Sequence, residues 1–253
     1  LNLGNYHALV IGNASYDNLE DLTTAKRDAS DVAKVLEQEY GFKVELLLDA
    51  TRENMLTALN RFRGALKETD NFLLYYAGHG YRDETGLGYW QPTDSSKEDD
   101  TKWIPNTRIN QALNRFKSNN IILIADSCYA GTQFRGFRAA DQQAGNNDNP
   151  AQSGDSLLQR LSTAKTRVAI TSGGDEPVAD RIGLSVNSVF ATSFIQALKN
   201  NSKTITSGDI FNEVRQRVVP ITAARGLEQT PEFGPLYESG HEGGDFIFNK
   251  APK

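Results

Sequence analysis

Phe72-Leu73-Leu74-Tyr75-Tyr76-Ala77-Gly78-His79-Gly80 decides how this chain folds. Six apolar or aromatic residues run without a polar break and stop at a glycine–histidine–glycine turn. That is the pattern of a strand buried on both faces. Ile121-Ile122-Leu123-Ile124-Ala125 repeats it and stops at Asp126-Ser127-Cys128-Tyr129-Ala130-Gly131. Working outward, His7–Gly12, Val44–Leu48 and Arg167–Ser172 read as further strands, and Phe246-Ile247-Phe248 as the last. Helical stripes lie between them. Ala29, Val32, Ala33, Leu36 and Tyr40 recur at helical spacing and are stopped by Gly41. Met55, Leu59, Phe62 and Leu66 follow a Thr51 cap. A loop-rich stretch from Tyr81 to about Pro105 leads to a short helix around Ile109–Phe116. Phe190, Phe194 and Ala197 mark another helix, and Phe211, Val214 and Val218 one more, capped by Ser207. The alternation predicts an α/β fold: a mostly parallel sheet with helices on both faces.

The composition narrows the chemistry. The chain has 253 residues, 38% hydrophobic and 23% charged, which is enough for a folded domain with a substantial core. A net charge of −5 lacks the basic footprint of a nucleic-acid binder. No apolar run approaches the roughly 20 residues of a membrane span. One cysteine excludes an internal disulfide and a cysteine-rich zinc site, and it points to a reducing, cytoplasmic setting. The chain begins at Leu1 rather than Met, which leaves upstream segments open.

In open α/β sheets, reactive groups gather beyond the carboxyl ends of the strands. Two strands here end in such groups, one in His79 and the other in Cys128. A thiolate is the nucleophilic form of cysteine, and an imidazole can take the thiol proton and return it to a leaving amine. Glycines on both sides of His79 let the backbone approach a substrate. The amides of Gly80 and Cys128 are candidate donors to an oxyanion. Taken singly, Cys128 also reads as a small buried hydrophobe and His79 as a loop residue; their matching positions favour chemistry. His7 and His241 read as structural or solvated, and Trp90 and Trp103 either as core packing or as aromatics lining a substrate groove.

Y-Y-A-G-H-G at Tyr75–Gly80 and D-S-C-Y-A-G at Asp126–Gly131 resemble the histidine and cysteine motifs of the caspase-like cysteine peptidases. Cys128 follows His79 by 49 residues (128 − 79), near the roughly 50 of caspases. V-I-G-N at the first strand, A-I-T-S-G-G-D-E at Ala169–Glu176 and G-D-F-I-F-N at Gly244–Asn249 extend the likeness over nearly the whole chain. It implies a caspase-like three-layer sandwich around a six-stranded, mostly parallel sheet. It implies cysteine endopeptidase activity on polypeptides through a Cys128–His79 dyad.

Asp126 two residues before the cysteine, and Tyr129 after it, resemble the metacaspases and their bacterial orthocaspase relatives, which cleave after Arg or Lys. Asp28, in Lys26-Arg27-Asp28-Ala29, matches a metacaspase aspartate at the start of the first helix. An acidic pocket of Asp28 and Asp126 would bind guanidinium by charge-assisted hydrogen bonds. Each has a second reading: Asp28 as a carboxylate against the helix dipole, Asp126 as a turn residue. Ala77 stands where metacaspases commonly have Ser, and Tyr129-Ala130 where they have His-Ser. Asn106-Thr107 replaces the acidic pair of calcium-dependent metacaspases. Glu98-Asp99-Asp100 lacks the alternating carboxylates of a calcium loop. Calcium independence and no cofactor or metal are therefore expected.

The expected organisation is one peptidase domain over 1–253. It comprises a larger segment (1–138), a flexible linker (139–165) and a smaller segment (166–253). Arg135, Arg138, Arg160 and Lys165 flank the polar core of the linker, which reads either as a self-cleavage segment or as a tolerated insertion. The expected partner is a polypeptide substrate, with no nucleic acid and no membrane, and the protein acts as a monomer. The alternative function is a non-catalytic regulatory or scaffolding module of a longer chain.

Overall fold

The computed structural model describes residues 3–128, 131, 154–173 and 186–251. In chain order the elements are β1 (Tyr6–Gly12), α1 (Ala25–Tyr40), β2 (Lys43–Leu48), α2 (Arg52–Ala65), β3 (Asn71–Ala77), β4 (Gly80–Arg82), β5 (Gly88–Trp90), β6 (Ile104–Pro105), α3 (Asn106–Asn114), β7 (Asn120–Asp126), α4 (Gly154–Thr163), β8 (Thr166–Thr171), α5 (Val189–Asn200), β9 (Thr204–Thr206), α6 (Ser207–Ala223), β10 (Glu232–Pro235) and β11 (Ile247–Asn249).

The main sheet has six strands in the order β10-β8-β7-β3-β1-β2. Every neighbouring pair is parallel except β8 with β10. All seven residues of β3 are buried, as its unbroken apolar run requires. Alternate side chains feed two cores. Leu73, Tyr75, Ile122 and Ile124 pack with Val32 and Leu36 of α1, Phe190 and Phe194 of α5, and Val214 of α6. Phe72, Leu74, Ile121 and Leu123 pack with Met55 and Leu59 of α2 and Ile109 and Leu113 of α3. This is the caspase-like sandwich: helices, sheet, helices. Among the described residues no helix is long and apolar enough to cross a membrane.

The local signals behave as their chemistry dictates. Gly41 closes α1 in the left-handed region, φ 68°, and its N–H bonds the Glu37 carbonyl. Thr51 caps α2 and makes a reciprocal capping box with Asn54.

Five expectations need correction. The cap of α6 is Thr206, whose hydroxyl accepts from the Asp209 amide; Ser207 is the first helical residue and is held by Asp245. The helix expected at Ile109–Phe116 starts at Asn106, directly after Pro105, which fits a helix start. The strand near Phe246–Phe248 does not join the main sheet. β11 pairs with β9 in a separate ribbon, with Phe246 and Phe248 turned into the core beside α1 and α5. The antiparallel edge is β10 instead, a partly exposed strand with one large apolar residue, Phe233, too little for a periodicity signal. The stretch after Tyr81 contains a small three-stranded sheet, β4-β5-β6. Finally, the segment expected to be flexible through residue 165 is helical over Gly154–Thr163, where Leu161 follows Leu157 by four residues and Leu158 by three inside a polar sequence.

Candidate active site

Strand register brings the reactive residues together. β3 and β7 pair in parallel with Ala77 opposite Asp126. Each chain then runs two residues further, one to His79 and the other to Cys128. The two backbones stay close: the Gly78 amide reaches the Asp126 carbonyl at 3.4 Å. A Cβ on Gly80 would sit 2.1 Å from the Cys128 carbonyl oxygen. A Cβ on Gly78 would sit 2.6 Å from the Tyr76 hydroxyl and 3.0 Å from that of Tyr16. Both glycines are required by close approach rather than by turn geometry, since neither has a positive φ.

His79 is gripped from three sides. Its amide donates to the Tyr16 hydroxyl at 2.8 Å, and its carbonyl accepts from the Tyr76 hydroxyl at 2.7 Å. Burial raises both tyrosine pKa values well above the ordinary range, so both hydroxyls stay neutral. The Tyr16 ring packs on the imidazole, centroids 4.7 Å apart. Nε2 lies 2.7 Å from the Glu20 carbonyl, which can only accept. Nε2 therefore carries the hydrogen, and Nδ1 is the basic nitrogen of the neutral ring.

The acidic side is built across the sheet. Asp28, on α1, is 1% exposed and accepts from the Ser188 amide at 3.0 Å. Asp126 is 6% exposed and accepts from the Ser188 hydroxyl at 2.6 Å. The same hydroxyl caps α5 by accepting from Ala191 at 2.9 Å. Beneath them the Tyr75 hydroxyl is raised far above its usual value by burial and then by the charges of Asp126 and Asp28. The Ser127 hydroxyl, 2% exposed, has no hydrogen-bond partner among the described residues.

One pocket of about 360 Å³ is lined by Asp28, His79, Asp126, Cys128 and Ser188 together. Cys128 is partly exposed there. Asp28 therefore faces the pocket and bonds another element's N–H, although it also lies in the first turn of α1. Three contributors were not marked in the sequence reading. Ser188 carried an N-cap signal just ahead of the Phe190–Phe194 stripe. Tyr16 and Glu20 sit in the β1–α1 loop, where nothing in the sequence distinguishes them.

The remaining candidates divide. Arg135 and Arg138 lie outside the described residues, as do Tyr129 and Ala130. Arg160 is an exposed residue of α4, and its carbonyl accepts from Ala164 at 3.2 Å. Lys165 is in the short connector to β8, with its carbonyl bonded to Glu242. His7 and His241 are half-buried, and burial lowers the pKa of each. Trp90 is core, stacked on Tyr76 at 4.2 Å, whereas Trp103 packs against Tyr81 and Tyr89 at the surface of a second cavity. Asp99 caps a short 3-10 turn rather than joining a carboxylate cluster.

Fold and pocket together define a class: an α/β sandwich with a thiol, an imidazole and two carboxylates gathered past the carboxyl ends of adjacent parallel strands. The caspase-domain family model matches residues 5–235, and the chain belongs to this peptidase family. Over 88 residues it is 39% identical to the mouse homologue of mucosa-associated lymphoid tissue lymphoma translocation protein 1 and 38% identical to the human protein. Those stretches cover 35% of this chain and 10% of each relative, so the chain spans about a tenth of the curated relatives it matches. The fold is shared with a structural-genomics protein from Geobacter sulfurreducens (TM-score 0.61, 19% identity, 94% of this chain and 97% of that one). It is also shared with caspase-1 from Spodoptera frugiperda (TM-score 0.64, 14% identity, 93% and 89%).

Proposed function

We propose that this chain is a cysteine endopeptidase that hydrolyses peptide bonds after Arg or Lys, on the metacaspase and orthocaspase side of its family. The observation that carries the reading is the single pocket lined by Asp28, His79, Asp126 and Cys128. His79 takes the Cys128 proton, and the thiolate attacks the substrate carbonyl. Amides of Gly80 and Cys128 receive the oxyanion. The imidazolium then protonates the leaving amine, a thioester remains, and water activated by His79 hydrolyses it. Two buried carboxylates favour a guanidinium or ammonium in the pocket.

The reading extends to a calcium-independent monomer in a reducing cytoplasm. Self-processing, where it occurs, falls at Arg135, Arg138 or Lys165 rather than Arg160, because a bond inside a helix must unwind before a peptidase can take it in extended form. The test is hydrolysis of fluorogenic peptides ending in Arg, Lys or Asp, with a calcium chelator present and absent. Arg and Lys peptides are expected to be cleaved equally well with chelator, and Cys128→Ala to be inert. Preference for Asp, or activity surviving in Cys128→Ala, overturns the reading.

A further inference from the structure

A second cavity, about 630 Å³, opens against His79. Leu19, Tyr81 and Trp103 give it an apolar, aromatic face, and Glu20, Gln91 and Lys97 complete the lining with polar groups. Trp103 is 9% exposed and fixed, its indole N–H donating to the Ser96 carbonyl at 2.9 Å and its rings meeting Tyr81 at 4.5 Å. Tyr81 is 40% exposed, an aromatic side chain left at the surface beside the active site. Glu20 links the cavity to the chemistry, since its carbonyl holds Nε2 of His79.

Among the described residues, His79 alone lines both pockets. Cys128, Asp28 and Asp126 line the acidic pocket, and Tyr81 and Trp103 line the second. In acyl transfer to a thiol, the imidazole protonates the departing amine. The chain that follows the scissile bond therefore leaves past the imidazole, on the side away from the pocket that holds the residue before the bond. We infer that the Leu19–Tyr81–Trp103 cavity is the subsite for the residue after the scissile bond, and that it takes a large aromatic or aliphatic side chain. This rests on the peptidase reading above and adds a second position to its specificity: basic before the bond, large and apolar after it. Aromatic rings suit that role because they bury area with little loss of rotamer freedom and prefer tilted or edge contacts of the kind Trp103 already makes.

The test uses internally quenched peptides that differ only in the residue after Arg: Phe, Leu, Gly or Asp. The full chain is expected to cleave the Phe and Leu peptides with kcat/KM at least about tenfold above the Gly peptide, the scale of discrimination by an apolar pocket. Tyr81→Ala is expected to shrink that ratio several-fold; its exposure makes it a safer variant than Trp103. Binding is measured separately with Cys128→Ala protein by fluorescence anisotropy, where the Arg–Phe peptide is expected to bind more tightly than Arg–Gly. Equal kcat/KM and equal affinity across the series overturn the subsite, and so does a ratio unchanged in Tyr81→Ala. Equal cleavage of all four peptides removes the subsite and leaves the peptidase reading standing. If no peptide is cleaved, that reading falls, and the affinities in Cys128→Ala still decide the cavity.

Discussion

Ser188 bonds two carboxylates at once, through its amide to Asp28 and its hydroxyl to Asp126. Ser188→Ala removes the bond to Asp126 and the cap on α5 together. Loss of a hydrogen bond to a charged group costs about 1.5–3 kcal/mol, and loss of the cap about 1 kcal/mol. The variant should lose at least about tenfold in kcat/KM for Arg peptides, chiefly through KM, and melt at a lower temperature. Steady-state kinetics and thermal denaturation check it; an unchanged KM would show that Ser188 does not contribute to binding the basic side chain. Tyr16 acts on His79 instead. Tyr16→Phe keeps the ring on the imidazole and deletes the acceptor for the His79 amide. We expect kcat to fall about tenfold with KM little changed. Alkylation of the single cysteine by iodoacetamide, followed by intact mass against pH, should show a displaced profile. A profile that superimposes on wild type would make Tyr16 a packing residue only.

Loop 13–24 joins β1 to α1 and carries both Tyr16 and Glu20, so its anchoring governs His79. Asp49 holds it: one carboxylate oxygen accepts from the Ala14 and Ser15 amides, and the other meets Lys26 of α1 at 2.7 Å. Burial opposes ionisation there, but Lys26 and the two amides outweigh it, and the Asp49 carboxyl titrates below its ordinary 3.8. A depressed carboxyl stabilises the fold above its ordinary pKa and loses that contribution as pH falls through the lower, folded value. Asp49→Asn should therefore flatten the loss of stability below about pH 4. Because the pair is partly exposed, the change at neutral pH should stay within about 1 kcal/mol. Urea midpoints across an acid series measure it; an unaltered acid limb would show that the ion pair contributes nothing.

At the scale of the molecule, one sheet serves two cores. Ile124 and Leu123 are neighbours on β7, yet Ile124 packs with α1 and α5 and Leu123 with α2 and α3. Either substitution to Ala should cost about 2–5 kcal/mol, a large share of a typical 5–15 kcal/mol. Both should shift a single unfolding transition, because the strands are common to the two faces. Urea titrations followed by tryptophan fluorescence and by circular dichroism should coincide for each variant. Separate transitions would mean that the helical layers unfold independently.

Five of the six sheet strands and most helices of both layers were legible because buried strands and amphipathic helices write their environment into local spacing; β3 is read from Phe72–Gly80 and α1 from the stripe Ala29–Tyr40. Gly41 and Thr51 were legible because caps answer to the backbone beside them. The placement of His79 and Cys128 was legible as two similar strand ends. Only the register, Ala77 opposite Asp126, made them neighbours in one pocket. The strand at Glu232–Pro235, the tie of Ser188 to both aspartates and the hold of Tyr16 and Glu20 on His79 belong to the tertiary structure alone. Their partners lie tens of residues away, Ser188 being 160 positions from Asp28. No periodicity records a contact between elements that meet only when the chain is folded.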